Sequence, residues 1–539
     1  MNDMNDVANR LAVVLAYHQR SKHTLQKYAN GPEVLDWDSQ PNPWRVFAGA
    51  PTQPLALSGN ALTASWADLQ ASGGLPAQPL NQTSLGWLLQ HAFAITAWKS
   101  YGPDTWALRA NPSSGNLHPT EVYVLAESMP SLTNGLYHYD SREHQLEQRC
   151  TLPDSTAPAS LIIGFSSIHW REAWKYGERA FRYCQLDMGH ALGALRYAAA
   201  LLGWHMSLLP QAGHSKMAHL LGLDRDDDYK GVELEDAECL VMLHLIADVA
   251  LLDLAALQTK LDHGTWHGQA NRLDPHPLYR WPVIDEVAHA SRPVDEYFPT
   301  TLPAAFPAPL PQPTPDASPL LLARRSAQAF DRTATLPLDA FLRLLDLQLP
   351  RADYVPWDSW PWPTHVNTVM FVHRVEGLAP GLYMLVRHPE QLSKLKQRCN
   401  DSFQWQPVEQ TGELPLYLLT EGDARSVART LGCHQSIASD CTVAMAFLAE
   451  FGEPLDQAPW HYRQLYQEAG LLGHVLYLAA EAEGFRATGI GCYFDDSLHE
   501  MLGITNMQYQ SLYHFTVGRP QLDSRITTLP AYPDKNLGE

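Results

Sequence analysis

Arg109-Ala-Asn-Pro-Ser-Ser-Gly-Asn-Leu-His-Pro119 runs directly into the strand-like stretch Thr120-Glu-Val-Tyr-Val-Leu125. The loop concentrates small polar groups where a bulky residue would block approach. Arg109 offers a charged fork, Ser113, Ser114 and Asn116 offer neutral donors and acceptors, and Gly115 permits close passage of the backbone. Pro112 fixes the entry to the turn. A polar loop of this kind, set ahead of a strand, can wrap a flat polar ligand.

Around this loop, composition narrows the function classes. The chain has 539 residues, 45% of them hydrophobic, enough for two domains with full cores. Its formal net charge of −20 argues against a nucleic-acid or anionic-membrane partner, and no basic run offsets it. The opening Met-Asn-Asp-Met-Asn-Asp lacks a basic segment, and Leu11 to Ala16 is too short for a signal core or a membrane span, so a cytoplasmic protein is expected. Seven cysteines without a Cys-x-x-Cys pair suggest neither a disulfide framework nor zinc. His263 and His267 stand four apart without an acidic companion, and no metal is expected there.

The chain repeats itself. Moving Gly189 through Leu223 by 281 residues lays it on Gly470 through Ile504, aligning Gly203 with Gly484 and Leu221-Gly-Leu223 with Leu502-Gly-Ile504. Ala191 to Leu202 and Leu471 to Ala482 both read as buried helices. Gly135-Leu-Tyr137 has a strand-like partner in Gly381-Leu-Tyr383. Between the copies, eight prolines lie from Pro299 to Pro319, a composition that favours polyproline II and an extended reach of roughly 65 Å at about 3.1 Å per residue. These features predict an α+β chain of two related domains: residues 1–285 with an N-terminal extension, a linker at 286–319, and residues 320–539.

Four segments together resemble the FMN-dependent nitroreductase superfamily. The Pro-Ser-Ser-Gly loop is one, and its Gly-Asn-Leu-His-Pro-Thr-Glu ending looks like the SagB/ThcOx branch, the azoline oxidases. The others are Trp174-Lys-Tyr-Gly-Glu-Arg-Ala-Phe-Arg-Tyr183 with Asp187-Met-Gly-His190, then Arg324-Arg-Ser-Ala-Gln-Ala-Phe330, and Gly489-Ile-Gly-Cys-Tyr-Phe-Asp-Asp496. Gln328 stands where a second basic residue is usual. The resemblance implies two nitroreductase-like domains in tandem, forming an intramolecular pseudo-dimer with flavin between the halves.

The two copies differ in complementary places. Where the second reads Gly489-Ile490-Gly491, the first reads Leu208-Leu209-Pro210, which removes flexible backbone and a donor amide. Where the first has Pro112 to Asn116, the second has Asp358-Ser-Trp-Pro-Trp362. The second keeps Arg324-Arg325-Ser326, against His18-Gln-Arg-Ser-Lys-His23 in the first. The intact pieces therefore predict one composite FMN site per chain. The resemblance implies phosphate contacts from Arg324, Arg325, Ser326 and Arg519, with Gln328 alongside. It also implies isoalloxazine contacts from Ser113, Ser114, Asn116 and the Gly489 to Gly491 backbone, with Ile490 between the glycines, and Arg109 and Pro112 completing the loop.

Lys175 and Tyr176 are the expected proton-transfer pair, since removing a ring C–H proton while hydride departs requires a base at the substrate carbon. Burial or Arg179 and Arg182 would lower the lysine, and a cation would assist the tyrosine. The repeat sets Asp456 and Gln457 opposite them. Three functions follow from the residues and the resemblance: an FMN-dependent azoline dehydrogenase reoxidised by O2, an NAD(P)H-dependent nitro or quinone reductase, or a non-catalytic scaffold in a biosynthetic complex. A peptide, a carrier-bound intermediate and a free small molecule are all compatible substrates, and biosynthetic partner enzymes and further homo-oligomerisation are compatible with each. Trp357, Trp360 and Trp362 fit either a recognition surface or an aromatic core, and His461 and Tyr462 have no assigned role.

Overall fold

The computed structural model of the chain describes residues 2–155, 158–247, 252–294 and 306–533. It begins with helix α1 (Asn2–Arg20), which the sequence reading did not anticipate. The first half then carries a hairpin, β1 (Ile95–Tyr101) and β2 (Asp104–Arg109), and strands β3 (Thr120–Glu127), β4 (Gly135–Asp140), β5 (Gln145–Thr151) and β6 (Ser160–Ser167). There follow α2 (His169–Tyr176), α3 (Ala180–Leu201), β7 (His205–Leu208), α4 (His214–Leu220) and β8 (Asp236–His244). The second half contributes α5 (Ala317–Ala323), β9 (Val366–Val372), β10 (Gly381–Leu385), β11 (Leu416–Glu421) and β12 (Val443–Glu450). It continues with α6 (Gly452–Gln457), α7 (His461–Ala482), β13 (Arg486–Ile490), α8 (Asp495–Leu502), β14 (Tyr509–Gly518) and β15 (Thr527–Leu529).

Two antiparallel sheets have matching order. Inward from a short edge strand, the first runs β5, β4, β3, β6, β8, β7 and the second β11, β10, β9, β12, β14, β13. The central strands β3 and β9 are buried along their whole length, with neighbours on both sides. The 281-residue shift survives as geometry: Ala180 and Leu201 move onto His461 and Ala482, and His205 moves onto Arg486. The fold class is therefore α+β, two like domains in tandem, paired within one polypeptide.

The pairing is made by α3 and α7. Each has 22 residues and is buried nearly all round, its charged residues included, which places it in the interior rather than on a surface. They meet at the repeated glycines. A Cβ on Gly189 would lie 2.1 Å from the Gln467 carbonyl oxygen, and one on Gly470 would lie 2.1 Å from that of Leu186. Both glycines are needed for backbones this close.

The connection between halves differs from the sequence expectation at its edges. The expected boundary at 285 falls inside a helix, Pro282–Ala290, and that at 320 falls inside α5. Apolar residues extend both helices past the proline-rich composition: Ile284, Val287 and Leu320 are buried. Residues 295–305 of the expected linker lie outside the described residues, and 306–315 run without regular structure. We propose that the division lies between the two helices, at 291–316. At the other end of the chain, β15 leaves the second half and pairs with β1, setting Thr527 beside Ser100 and Leu529 beside Trp98. Among the described residues no helix is long and apolar enough to cross a membrane.

Candidate functional site

A cavity of about 760 Å³ opens between the halves, within the size range of small-molecule sites. The first half contributes the loop from Arg109 to Asn116, together with Tyr176 and Asp187. The second contributes Arg324, Arg325, Ser326 and Gln328 from the end of α5, and Gly489, Ile490 and Gly491 from β13. The crossing segment that precedes β15, from Pro520 to Ser524, closes one side. The structure thus brings together every expected contact except Lys175 and Arg519. Arg519 is exposed, its guanidinium 5.5 Å from the Phe485 ring centre. The pleat accounts for this, because Gly518 on β14 faces Phe330 and the next side chain turns outward.

The loop is held differently from the sequence expectation. Asp187 on α3 accepts hydrogen bonds from Ser113 Oγ (2.6 Å), Ser114 N (3.0 Å) and Ser114 Oγ (3.0 Å). Asn116 Nδ2 donates to the Ala107 carbonyl at 2.9 Å. The hydroxyls and the amide therefore lock the loop, and they do not stand free toward a ligand. Gly115, Asn116 and His118 have φ of 58°, 60° and 52°, a tight left-handed course that glycine adopts without strain and asparagine tolerates. A Cβ on Gly115 would come within 2.5 Å of the Tyr176 hydroxyl, so the loop passes directly under that ring. Burial pushes the Asp187 carboxyl up to about 7, against the three donors that oppose it.

One end of the cavity is basic. Arg324, Arg325, Arg486 and Lys99 all line it. Arg324 spans the two halves, donating from Nε to the Ala110 carbonyl at 2.8 Å and from Nη2 to that of Arg109 at 3.1 Å, while its Nη1 is buried without a hydrogen-bond partner. Arg325 donates to the carbonyls of Leu322 (2.9 Å) and Arg324 (2.6 Å). Burial, with Arg324 and Arg486 nearby, brings its guanidinium down to about 10, and burial with Arg325 and Arg486 lowers Lys99. Cations that depress one another favour an anion among them. Ser326 Oγ lies 2.8 Å from the Tyr477 hydroxyl, which accepts Gly489 N–H at 3.1 Å. That amide is therefore already paired, contrary to its expected use on a ring.

Lys99 and Arg486 were missed by sequence reasoning. The signal for Arg486 was its place three residues before Gly489, where the first copy has His205. Lys99 lies on a hairpin brought over the cavity by β15, and no local pattern announces that pairing.

Tyr176 lines the cavity, its ring 4.6 Å from that of Tyr183. Burial and the nearby Glu172 raise its hydroxyl well above the ordinary tyrosine value, so it stays protonated. Lys175 is half-buried outside the lining, its ammonium 5.3 Å from the Tyr176 ring centre and 5.7 Å from that of Trp37. Burial lowers it. The two arginines expected to do so are committed elsewhere: Arg179 Nη1 and Arg182 Nη1 bond Asp495 at 3.0 and 2.6 Å.

The pseudo-symmetric position is closed. Leu208, Leu209 and Pro210 meet Trp362, Trp460 and Gln464 around a crevice of about 50 Å³. Gln464 stands 281 residues after Tyr183, which lines the open cavity. Trp357, Trp360 and Trp362 are buried, which assigns them to the core rather than to a recognition surface. His461 stacks 4.0 Å from Trp460, and Tyr462 belongs to a buried aromatic cluster with Tyr17, Phe181 and Phe451. Asp456 and Gln457 end α6 as Lys175 and Tyr176 end α2. His263 and His267 bond Thr259 O and Thr151 Oγ1. His169, Asp236 and Glu238 do cluster among the described residues, but Arg463 already bonds the two carboxylates at 2.6 and 2.8 Å, a cation in the place a metal would take.

Several features of the cavity fit FMN. The cationic end suits a phosphate, Gly489 and Gly491 clear a wall where a Cβ would meet Tyr513 at 1.8 Å or Tyr183 at 2.3 Å, and buried Arg109 Nε, Asn111 Oδ1 and Arg324 Nη1 on the lining have no partner.

Residues 321–519 match the family described as the Nitroreductase family. Among curated proteins, the trifolitoxin-processing protein TfxB of Rhizobium leguminosarum bv. trifolii is 31% identical over 155 residues, 25% of this chain and 42% of TfxB. A candidate nitroreductase of Methanocaldococcus jannaschii is 24% identical over 137 residues, 23% of this chain and 66% of that protein. The matches thus span less than two thirds of either relative. A crystal structure of a candidate nitroreductase from Anabaena variabilis shares the fold over 94% of this chain and 99% of its own, with a TM-score of 0.66 and 22% identity. Residues 321–519 are a nitroreductase-family domain, and the chain as a whole, with its two like domains in one polypeptide, shares the fold of the Anabaena variabilis protein.

Proposed function

We propose that the chain is an FMN-dependent dehydrogenase of the SagB/ThcOx type, which oxidises thiazoline or oxazoline rings, or a related amino-acid-derived bond, in natural-product maturation. The observation that carries this reading is the open cavity between the halves, which unites the Ser113–Asn116 loop and Tyr176 of one half with the arginines and glycine strand of the other, while its counterpart is nearly filled. Similarity to a trifolitoxin-processing protein supports the biosynthetic setting.

In this reading Arg324, Arg325, Arg486, Lys99 and Ser326 hold the phosphate, and the Gly489–Gly491 wall and the Pro112–Asn116 loop flank the ring system. Bound there, FMN supplies a two-electron acceptor that O2 reoxidises. The chain's own residues handle the proton. Tyr176 presents its protonated hydroxyl to the cavity beside Gly115, and Lys175, lowered by burial and 5.3 Å from the Tyr176 ring centre, is its partner in taking up the proton. The buried walls exclude water from the reacting carbon. Substrates on a peptide or carrier, and partner enzymes that deliver them, are compatible with a cavity bordered by the exposed Leu522.

Anaerobic flavin bleaching tests the reading. A synthetic thiazoline peptide should bleach bound FMN, and Tyr176→Phe should slow that bleaching at least about a hundredfold, within the range for general acid–base groups. Bleaching by NADPH alone, unchanged in Tyr176→Phe, would instead indicate a nitro or quinone reductase. A chain that takes up no FMN would indicate a scaffold.

A further inference from the structure

Directly after the glycine wall, Cys492 lines the cavity, and its Sγ lies 2.7 Å from Sγ of Cys433. This is well inside ordinary non-bonded sulfur contact. The two thiols come from segments 59 residues apart that are fastened on either side of the pair. Phe494 N donates to the Leu431 carbonyl at 2.9 Å, and Gln435 Nε2 donates to the Cys492 carbonyl at 3.3 Å. Between those anchors Cys433 and His434 take φ of 52° and 61°, a left-handed course uncommon for non-glycine residues, and it turns Cys433 toward its partner. The surroundings are polarised. His23 hydrogen-bonds Cys492, and Arg179 bonds the preceding carbonyl of Gly491 from Nε at 3.3 Å and Nη2 at 3.1 Å. Tyr28 stands beside Cys433. With the second thiol and His23 as partners, Cys492 is brought down to about 5, whereas Cys433 is driven up. The asymmetry is that of an attacking thiolate and a resolving thiol.

We propose that Cys492 and Cys433 form a peroxide-oxidised dithiol site at the rim of the cavity. The Cys492 thiolate attacks one oxygen of hydrogen peroxide, the O–O bond breaks, and hydroxide leaves, giving a sulfenic acid. Cys433 then attacks that sulfur, forming the S–S bond and releasing water. In sum, two thiols and one H2O2 give one disulfide and two waters, with the sulfurs oxidised and both peroxide oxygens reduced. The other five cysteines lack such a partner among the described residues: Cys150, Cys184, Cys399 and Cys441 are buried, and burial raises Cys239. The site goes beyond the proposed flavin chemistry and does not depend on it.

The test is thiol mapping of the full chain after addition of H2O2, without added FMN. Two of the seven thiols should be lost, and peptide mapping should join Cys433 to Cys492 in a link that dithiothreitol reverses. In Cys433→Ser the reaction should stop at a sulfenic acid on Cys492, captured by dimedone, and Cys492→Ser should leave Cys433 a thiol. Oxidation of Cys239 as fast as Cys492, or sulfinic acid on Cys492 in the unaltered chain without the disulfide, would overturn the proposal. The mapping of the unaltered chain decides the matter even where a variant folds poorly.

Discussion

Asp187 joins the two motifs that carry most of the site. It lies on the buried helix α3, seven residues before Ala194, and its carboxylate accepts from both serines of the loop. Its pH behaviour follows. The folded carboxyl titrates near 7, above its ordinary value, so its stability contribution is fully present below the ordinary aspartate range and is lost as pH rises through about 7. Asp187→Asn, which stays neutral, lacks that loss. The melting temperature of the unaltered chain should therefore fall relative to Asp187→Asn between about pH 4 and pH 7 and run parallel to it above that, and profiles parallel throughout would contradict the assignment. At this scale the sequence disclosed which residues gather but not what their polar atoms bind. Ser113, Ser114 and Asn116 read as ligand contacts because a single sequence shows a donor without its acceptor. The acceptors, Asp187 and the Ala107 carbonyl, arrive through tertiary packing.

The C-terminal halves of α3 and α7 were legible as apolar runs related by the 281-residue shift, which carries Gly189 onto Gly470 where the backbones touch, whereas their starts at Ala180 and His461, rich in polar residues, were not. The sheets were less legible. Their strands recur at other spacings: Thr120 and Val366, the starts of β3 and β9, are 246 apart, because loops of unequal length separate them from the helices. The helix α1 and the pairing of β15 with β1 were not legible, since each is fixed by a partner far along the chain. The crossing of α3 and α7 is testable directly. Gly189→Ala places a methyl against a rigid carbonyl and should lower the unfolding free energy by about 1–3 kcal/mol in urea denaturation. Gly193→Ala meets His474 Cβ at 2.8 Å, a longer approach than the 2.1 Å to a carbonyl oxygen at Gly189, and should cost less. Equal costs would show that the backbones are not held together at Gly189.

At the scale of the whole molecule, fusion of two domains removed the requirement that both sites work. A homodimer with the same interface would present two equal cavities. Here one is about 760 Å³ and the other about 50 Å³, filled by Leu208, Pro210 and Trp362 where the open one has glycines and a small polar loop. Tethering holds the halves at a local concentration of about millimolar order, so an unequal pair persists without self-association. This asymmetry was foreseeable from the complementary losses in the two copies, whereas the closure of one mouth by the C-terminal crossing was not. The most direct test of the account is the number of FMN molecules bound per chain, measured by absorbance of the released flavin against polypeptide concentration after reconstitution and removal of excess. One FMN per chain, lost when Arg324 and Arg325 are both replaced by Ala, is the expected result. Two equivalent flavins per chain would contradict the single composite site.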